Sequence, residues 1–133
     1  MGTTGFAQLD MPKPFRVSHF EGVVMSPYCK PVENADVSLT RNGKVAFSTR
    51  TDAAGHFKLD NVEGQFVFHV KTPEYSVVAR DVVIGFEIAT AIHGNRLYVI
   101  LGPGACSDDC SSVFTHKGDF EKAMRKLARH NKK

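Results

Sequence analysis

Six histidines, three cysteines and one adjacent carboxylate pair are the groups in this 133-residue chain most able to carry chemistry. The histidines are His19, His56, His69, His93, His116 and His130. No two of them share the H-x-x-x-H spacing that puts two ligands on one helix face, so the sequence marks no metal centre. They read as exposed strand and tail residues. Asp108 and Asp109 in "SDD" have the right chemistry for acid–base work, but their serine-rich surroundings read as a solvated turn. There is no G-x-S-x-G nucleophile elbow, no P-loop and no G-x-G-x-x-G. No residue is therefore assigned a catalytic, cofactor-binding or metal-binding role.

The cysteines are more informative. Cys106 and Cys110 form C-x3-C, and Cys29 is left over. The C-x-x-C of a redox pair is missing, and so is the doubled spacing of a zinc site. The expectation is one structural disulfide, either Cys106–Cys110 or Cys29 with one of these two. Free thiols in a reducing compartment are the alternative.

The net charge of +3 is unevenly spread. Residues 116–133 carry seven Lys/Arg against two Asp/Glu, whereas residues 1–115 carry ten against twelve. The basic tail has a helical pattern over 119–130. Phe120, Ala123, Met124 and Leu127 fall on one side, and Lys122, Arg125, Lys126 and Arg129 fill the other. Asp119 is a candidate N-cap, and Glu121 suits the first turn. Two roles stay open for the four cations. They are the solvated face of a helix packed on the body, or a docking surface for an anionic partner. The basic face has no aromatic side chain, so base stacking is not expected and nucleic acid is not the expected partner.

These groups must be positioned by the segment before the tail. At 42% hydrophobic, 133 residues suffice for one domain with a core built on ten phenylalanines. No apolar run reaches the ~18 residues needed to span a bilayer. From Arg16 to Leu101 the pattern is strand and turn, repeated. "RVSHFEGVVM", "ADVSLT", "KVAFSTRT", "HFKLD", "QFVFHVK", "SVVARDVVI" and "RLYVIL" each alternate with period two. "RNG" marks a hairpin, and "TDAAG" and "NVEG" mark turns. Seven short strands with no long helix among them read as an antiparallel Greek-key β-sandwich followed by an amphipathic helix. Phe20, Val24, Val37, Leu39, Phe57, Leu59, Phe66, Phe68 and Val70 are its expected core. "GFEIATAIHGN" at 85–95 is left as a long connection.

The pieces "FEGVV", "KPVENADVSLT", "TRTDAAGHFKLDNVEG" and "QFVFHVKTPEY" resemble the carboxypeptidase regulatory-like family, a branch of the transthyretin-like (prealbumin-like) sandwiches. The likeness covers about two thirds of the chain if "RLYVIL" is the closing strand. It implies a module at 15–103, with a flexible tail at 1–14 before it and a cysteine hook plus basic helix at 104–133 after it. That family serves mostly as non-catalytic accessory or adhesive modules outside the cytoplasm. The related intradiol dioxygenases hold iron with two Tyr and two His, but Tyr28, Tyr75 and Tyr98 show no matching set. The hydrolase branch ends in Tyr-Arg-Gly-Ser, whereas this chain ends "RHNKK".

The expected function is thus a non-enzymatic, exported binding or scaffolding module for a protein or carbohydrate partner. The alternative is a small metal-dependent or hydrolytic enzyme on the same sandwich. The start, "MGTTGFAQLDMPKPF", lacks a complete signal peptide, so any export signal is expected to be truncated or upstream.

Overall fold

The structure is a computed structural model that describes residues 14–85, 96–104 and 110–131. The expected tail at 1–14, the connection at 85–95, and Cys106, Asp108 and Asp109 lie wholly or largely outside these residues.

Two sheets pack face to face. The five-stranded sheet has the order β1 (Phe15–Val17), β7 (Val78–Ile84), β6 (Gly64–Lys71), β3 (Asp36–Arg41), β4 (Lys44–Arg50). The four-stranded sheet has the order β5 (His56–Leu59), β2 (Phe20–Met25), β8 (Leu97–Ile100), β9 (Ser112–Phe114). The seven expected strands are present, and β1 and β9 are added to them among the described residues. β1 arises because "RVSHFEGVVM" breaks at Ser18 and His19. Val17 and Phe20 are both buried but three residues apart, and one strand of period two cannot aim both inward. The chain therefore switches sheets there. β9 extends the four-stranded sheet past residue 103, where the sequence placed only the hook. The all-antiparallel expectation needs correction in two places, since β1–β7 and β2–β8 are parallel pairs. In both, the two strands are far apart in sequence and no hairpin dictates their sense.

Alternation fills the space between the sheets. Phe20, Val24, Val37, Leu39, Phe57, Phe66, Phe68 and Val70 are buried, and Leu59 is half-buried against them. Phe20 bridges the layers, with ring centroids 5.2 Å from Phe57 and 6.2 Å from Phe68. β4 departs from the pattern. It is the edge strand of the larger sheet, with a register shift between Leu39 and Thr40. Val45 and Phe47 stay exposed as a result, and Phe47 leans edge-on against Phe66.

The "TDAAG" turn is a joint. Thr51 is buried, donates its hydroxyl to the Val32 carbonyl at 2.6 Å and accepts the Ala35 amide at 2.8 Å. Asp52 Oδ1 accepts the amides of Ala54 and His56, both at 2.9 Å. Gly55 sits at φ 80°, a left-handed conformation that a side chain would strain.

Helix α1 runs from Lys117 to Asn131. It begins two residues before the expected start, so Asp119 lies inside the first turn rather than at the N-cap. The first helical bond runs from the Phe120 amide to the His116 carbonyl at 3.2 Å.

Candidate functional site

The outer face of the four-stranded sheet brings several charged side chains into one concavity. In β2, Phe20, Gly22 and Val24 point inward, so Glu21, Val23 and Met25 point outward. Register then fixes their neighbours. Glu21 pairs with Lys58, and Val23 pairs with His56 on one side and Tyr98 on the other. Tyr98 in turn pairs with Phe114 of β9.

This face is divided in two. Over β8 and β9 it is apolar and covered by α1. The Phe120 ring stacks on Tyr98 at 4.9 Å with 26° between planes, and lies 6.4 Å from Phe114. Ile100 faces outward on β8 yet is buried. Ala123, Met124 and Leu127 are half-buried on the same side of the helix. The helix thus packs on the body through its apolar side. Lys122, Arg125, Lys126 and Arg129 are all exposed on the helix.

Over β5 and β2 the face is open and polar. Here lies a basin of about 460 Å³ lined by Glu21, Val23, Arg50, Asp52, His56, Lys58, Arg96 and Tyr98. Three permanent cations and one histidine face two carboxylates. Arg96 approaches Glu21 at 3.9 Å, and Lys58 approaches Asp60 at 3.5 Å. Arg50 donates to the Asn34 carbonyl at 3.2 Å. Asp52 is held below the usual carboxylate range, first by the His56 amide. It is therefore ionised and committed to its turn. None of the lining residues is Ser, Thr or Cys. The set can bind a charged, hydroxyl-bearing group, and it offers no hydroxyl or thiol nucleophile beyond the Tyr98 phenol.

A second cavity, of about 580 Å³, opens where the C-terminal half of α1 overhangs the end of β8. Its walls include Pro27, Ile100, Leu101, Ala123 and Leu127, with Lys126 and Arg129 also lining it. Lys122 and Arg125 do not line it. The four tail cations thus divide into two pairs.

The histidines do not converge. Among the described residues no three of His, Cys, Asp and Glu are placed to hold a metal ion. His69 faces outward from the other sheet, 3.1 Å from the Thr40 hydroxyl, and burial pushes its imidazole below the ordinary value. His93 lies outside the described residues.

Cys29 is a free thiol 3.6 Å from the Met124 carbonyl, which removes it as a disulfide partner. Cys110 lies at the edge of the described part of the hook. Its expected partner, Cys106, lies outside the described residues. Sequence reasoning missed Glu21, Arg50, Arg96 and Tyr98 as basin residues. Alternation did mark His56 and Lys58 as outward, but which strands lie beside β5 is set by long-range pairing.

No family model matches the chain, and no curated protein matches it. Solved structures do. The Klebsiella pneumoniae 5-hydroxyisourate hydrolase is 18% identical with a TM-score of 0.55, over 80% of this chain and 100% of that one. No helix among the described residues is long and apolar enough to cross a membrane. At this identity the likeness is one of fold, and the chain shares the β-sandwich fold of that structure.

Proposed function

We propose that this protein is a non-catalytic, exported binding module that recognises an acidic carbohydrate in the open basin of its four-stranded sheet. One observation carries the reading. Arg50, Lys58 and Arg96 surround a concavity that also holds an acceptor at Glu21. Cations select a carboxylate, and the acceptor suits a sugar hydroxyl. Val23 adds apolar surface for the sugar's C–H face. The "TD..G.F" joint and the strand motifs support placement in the carboxypeptidase regulatory-like branch. In this reading the hook closes as Cys106–Cys110 in an oxidising compartment. Non-reducing mass spectrometry should then find one alkylatable thiol, Cys29.

The test is titration of the full chain with oligogalacturonate. Saturable binding is expected, weakening as salt rises past about 0.15 M. Lys58→Ala with Arg96→Ala should weaken it at least about tenfold. Equal binding of a neutral oligosaccharide, or no binding of the acidic one, overturns the reading.

The rival is a hydrolase on the same fold, with His56 as its base beside Arg50 and Arg96. Turnover of an activated ester or cyclic amide that is lost in His56→Gln would favour it.

A further inference from the structure

The cavity beneath the helix differs from the basin in its chemistry. The basin is charged with both signs and built on a bare sheet. The second cavity lies between two elements. Ile100 and Leu101 come from the end of β8, Pro27 from the first long loop, and Ala123 and Leu127 from α1. Its volume of about 580 Å³ lies within the range of ordinary small-molecule pockets, ~300–1,000 Å³.

Phe120 seats the first turns of α1 on Tyr98 and Phe114. Beyond it the stripe continues with Ala123, Met124 and Leu127. Beside the C-terminal half of the helix a cavity lined by Ala123, Leu127 and Ile100 remains. The helix's apolar side chains there remain half-buried rather than sealed.

The charge on the cavity is one-sided. Lys126 and Arg129 lie three residues apart on α1, so they neighbour each other on one side of the helix. Both line the cavity, and no Asp or Glu among the described residues does. Both are exposed, so each head group is hydrated while its stem lies along apolar surface. An apolar slot with two neighbouring cations on its wall is complementary to a molecule with an apolar body and one anionic end.

We propose that this cavity binds a single-chain amphiphile with a terminal carboxylate, its chain between Ile100 and Leu127 and its head group at Lys126 and Arg129. The site is separate from the basin and does not depend on the basin's ligand.

Calorimetry with laurate on the full chain tests it. One saturable site per chain is expected, with dodecanol at least about tenfold weaker because it lacks the charge. Lys126→Glu with Arg129→Glu should weaken laurate at least about tenfold and leave dodecanol unchanged. Ala123→Trp fills the slot and should abolish both, with an unchanged melt showing that the fold is intact. If Ala123→Trp unfolds the chain, Ala123→Leu, a smaller fill, takes its place with a reduced affinity expected. Lys58→Ala with Arg96→Ala should leave laurate binding intact, which separates this site from the basin. The proposal is overturned if the full chain shows no saturable laurate binding, or if the charge reversal has no effect. It is also overturned if filling the slot changes nothing, or if binding appears only after residues 1–13 are removed, since the chain itself would then be the occupant.

Discussion

The two halves of one sheet face have opposite fates. Over β8 and β9, the outward positions are Tyr98, Ile100 and Phe114, and α1 covers them. Over β5 and β2, the outward positions are His56, Lys58, Glu21 and Val23, and nothing among the described residues covers them. The backbone is the same pleated surface in both places. The difference lies in the side chains that alternation presents and in the amphipathic helix that succeeds β9 along the chain. A helix this short is marginal alone, and its apolar stripe needs an apolar floor. Only the β8–β9 half supplies one. The basin is the half the helix has no reason to cover, and so it remains available to a ligand.

The strongest way to break this comparison is to remove the lid. A chain ending at Thr115 loses the Phe120–Tyr98 stack and bares Ile100 and Phe114. We expect the largest stability loss here, several kcal/mol at ~25 cal/mol per Å² of apolar surface uncovered, together with lower solubility. The single change Phe120→Ala removes a half-buried ring and should cost about 2 kcal/mol, below the ~3–5 of a fully buried phenylalanine. Thermal or urea melts decide. A truncated chain that melts like the full one would mean that the covered half does not need its cover.

The contrast also separates what the sequence reveals from what it conceals. The core was legible because period-two alternation is local, and Phe66, Phe68 and Val70 carry it in five residues. The joint at Thr51, Asp52 and Gly55 was legible because turn chemistry is local too. Helix α1 was legible as an amphipathic stripe. The strand break before β2 left its trace only in the three-residue spacing of Val17 and Phe20. The basin was not legible. Glu21, Lys58 and Arg96 are far apart in sequence, and each alone reads as a solvated surface charge. Only the pairing of β2 with both β5 and β8 puts them on one face. The division of the tail cations was equally hidden, because it depends on which part of α1 lines the cavity.

The open half should respond differently to mutation. Lys58→Ala and Arg96→Ala remove exposed charges whose ion pairs, at 3.5 and 3.9 Å, are loose. Exposed pairs are worth ~0–1 kcal/mol, so each variant should melt close to the wild-type chain. That gap between the Phe120 and Lys58 variants sharpens the comparison. One half holds the fold together and the other is free to serve recognition. A drop of about 2 kcal/mol or more in Lys58→Ala would show the basin to be structural as well.

The smallest expected effect belongs to Asp52, the one basin carboxylate that the fold does use. Its pKa is lowered from 3.8, chiefly by the His56 amide; partial desolvation opposes this, and the Ala54 amide adds a smaller lowering effect. The folded state therefore binds this proton less readily than the unfolded chain. Linkage fixes the sign: the contribution is fully present above 3.8 and is lost as pH falls through the lowered value. Asp52→Asn keeps an Oδ1 acceptor for both amides but has nothing to titrate. Its melting temperature should fall less steeply than that of the wild-type chain as the solution is acidified below 3.8. At neutral pH the two should lie close together, the variant slightly lower because a neutral acceptor holds an amide less strongly than a carboxylate. Parallel acid limbs for the two proteins would mean that the turn draws nothing from the charge. Asp52 would then join Glu21 as a carboxylate available to a ligand.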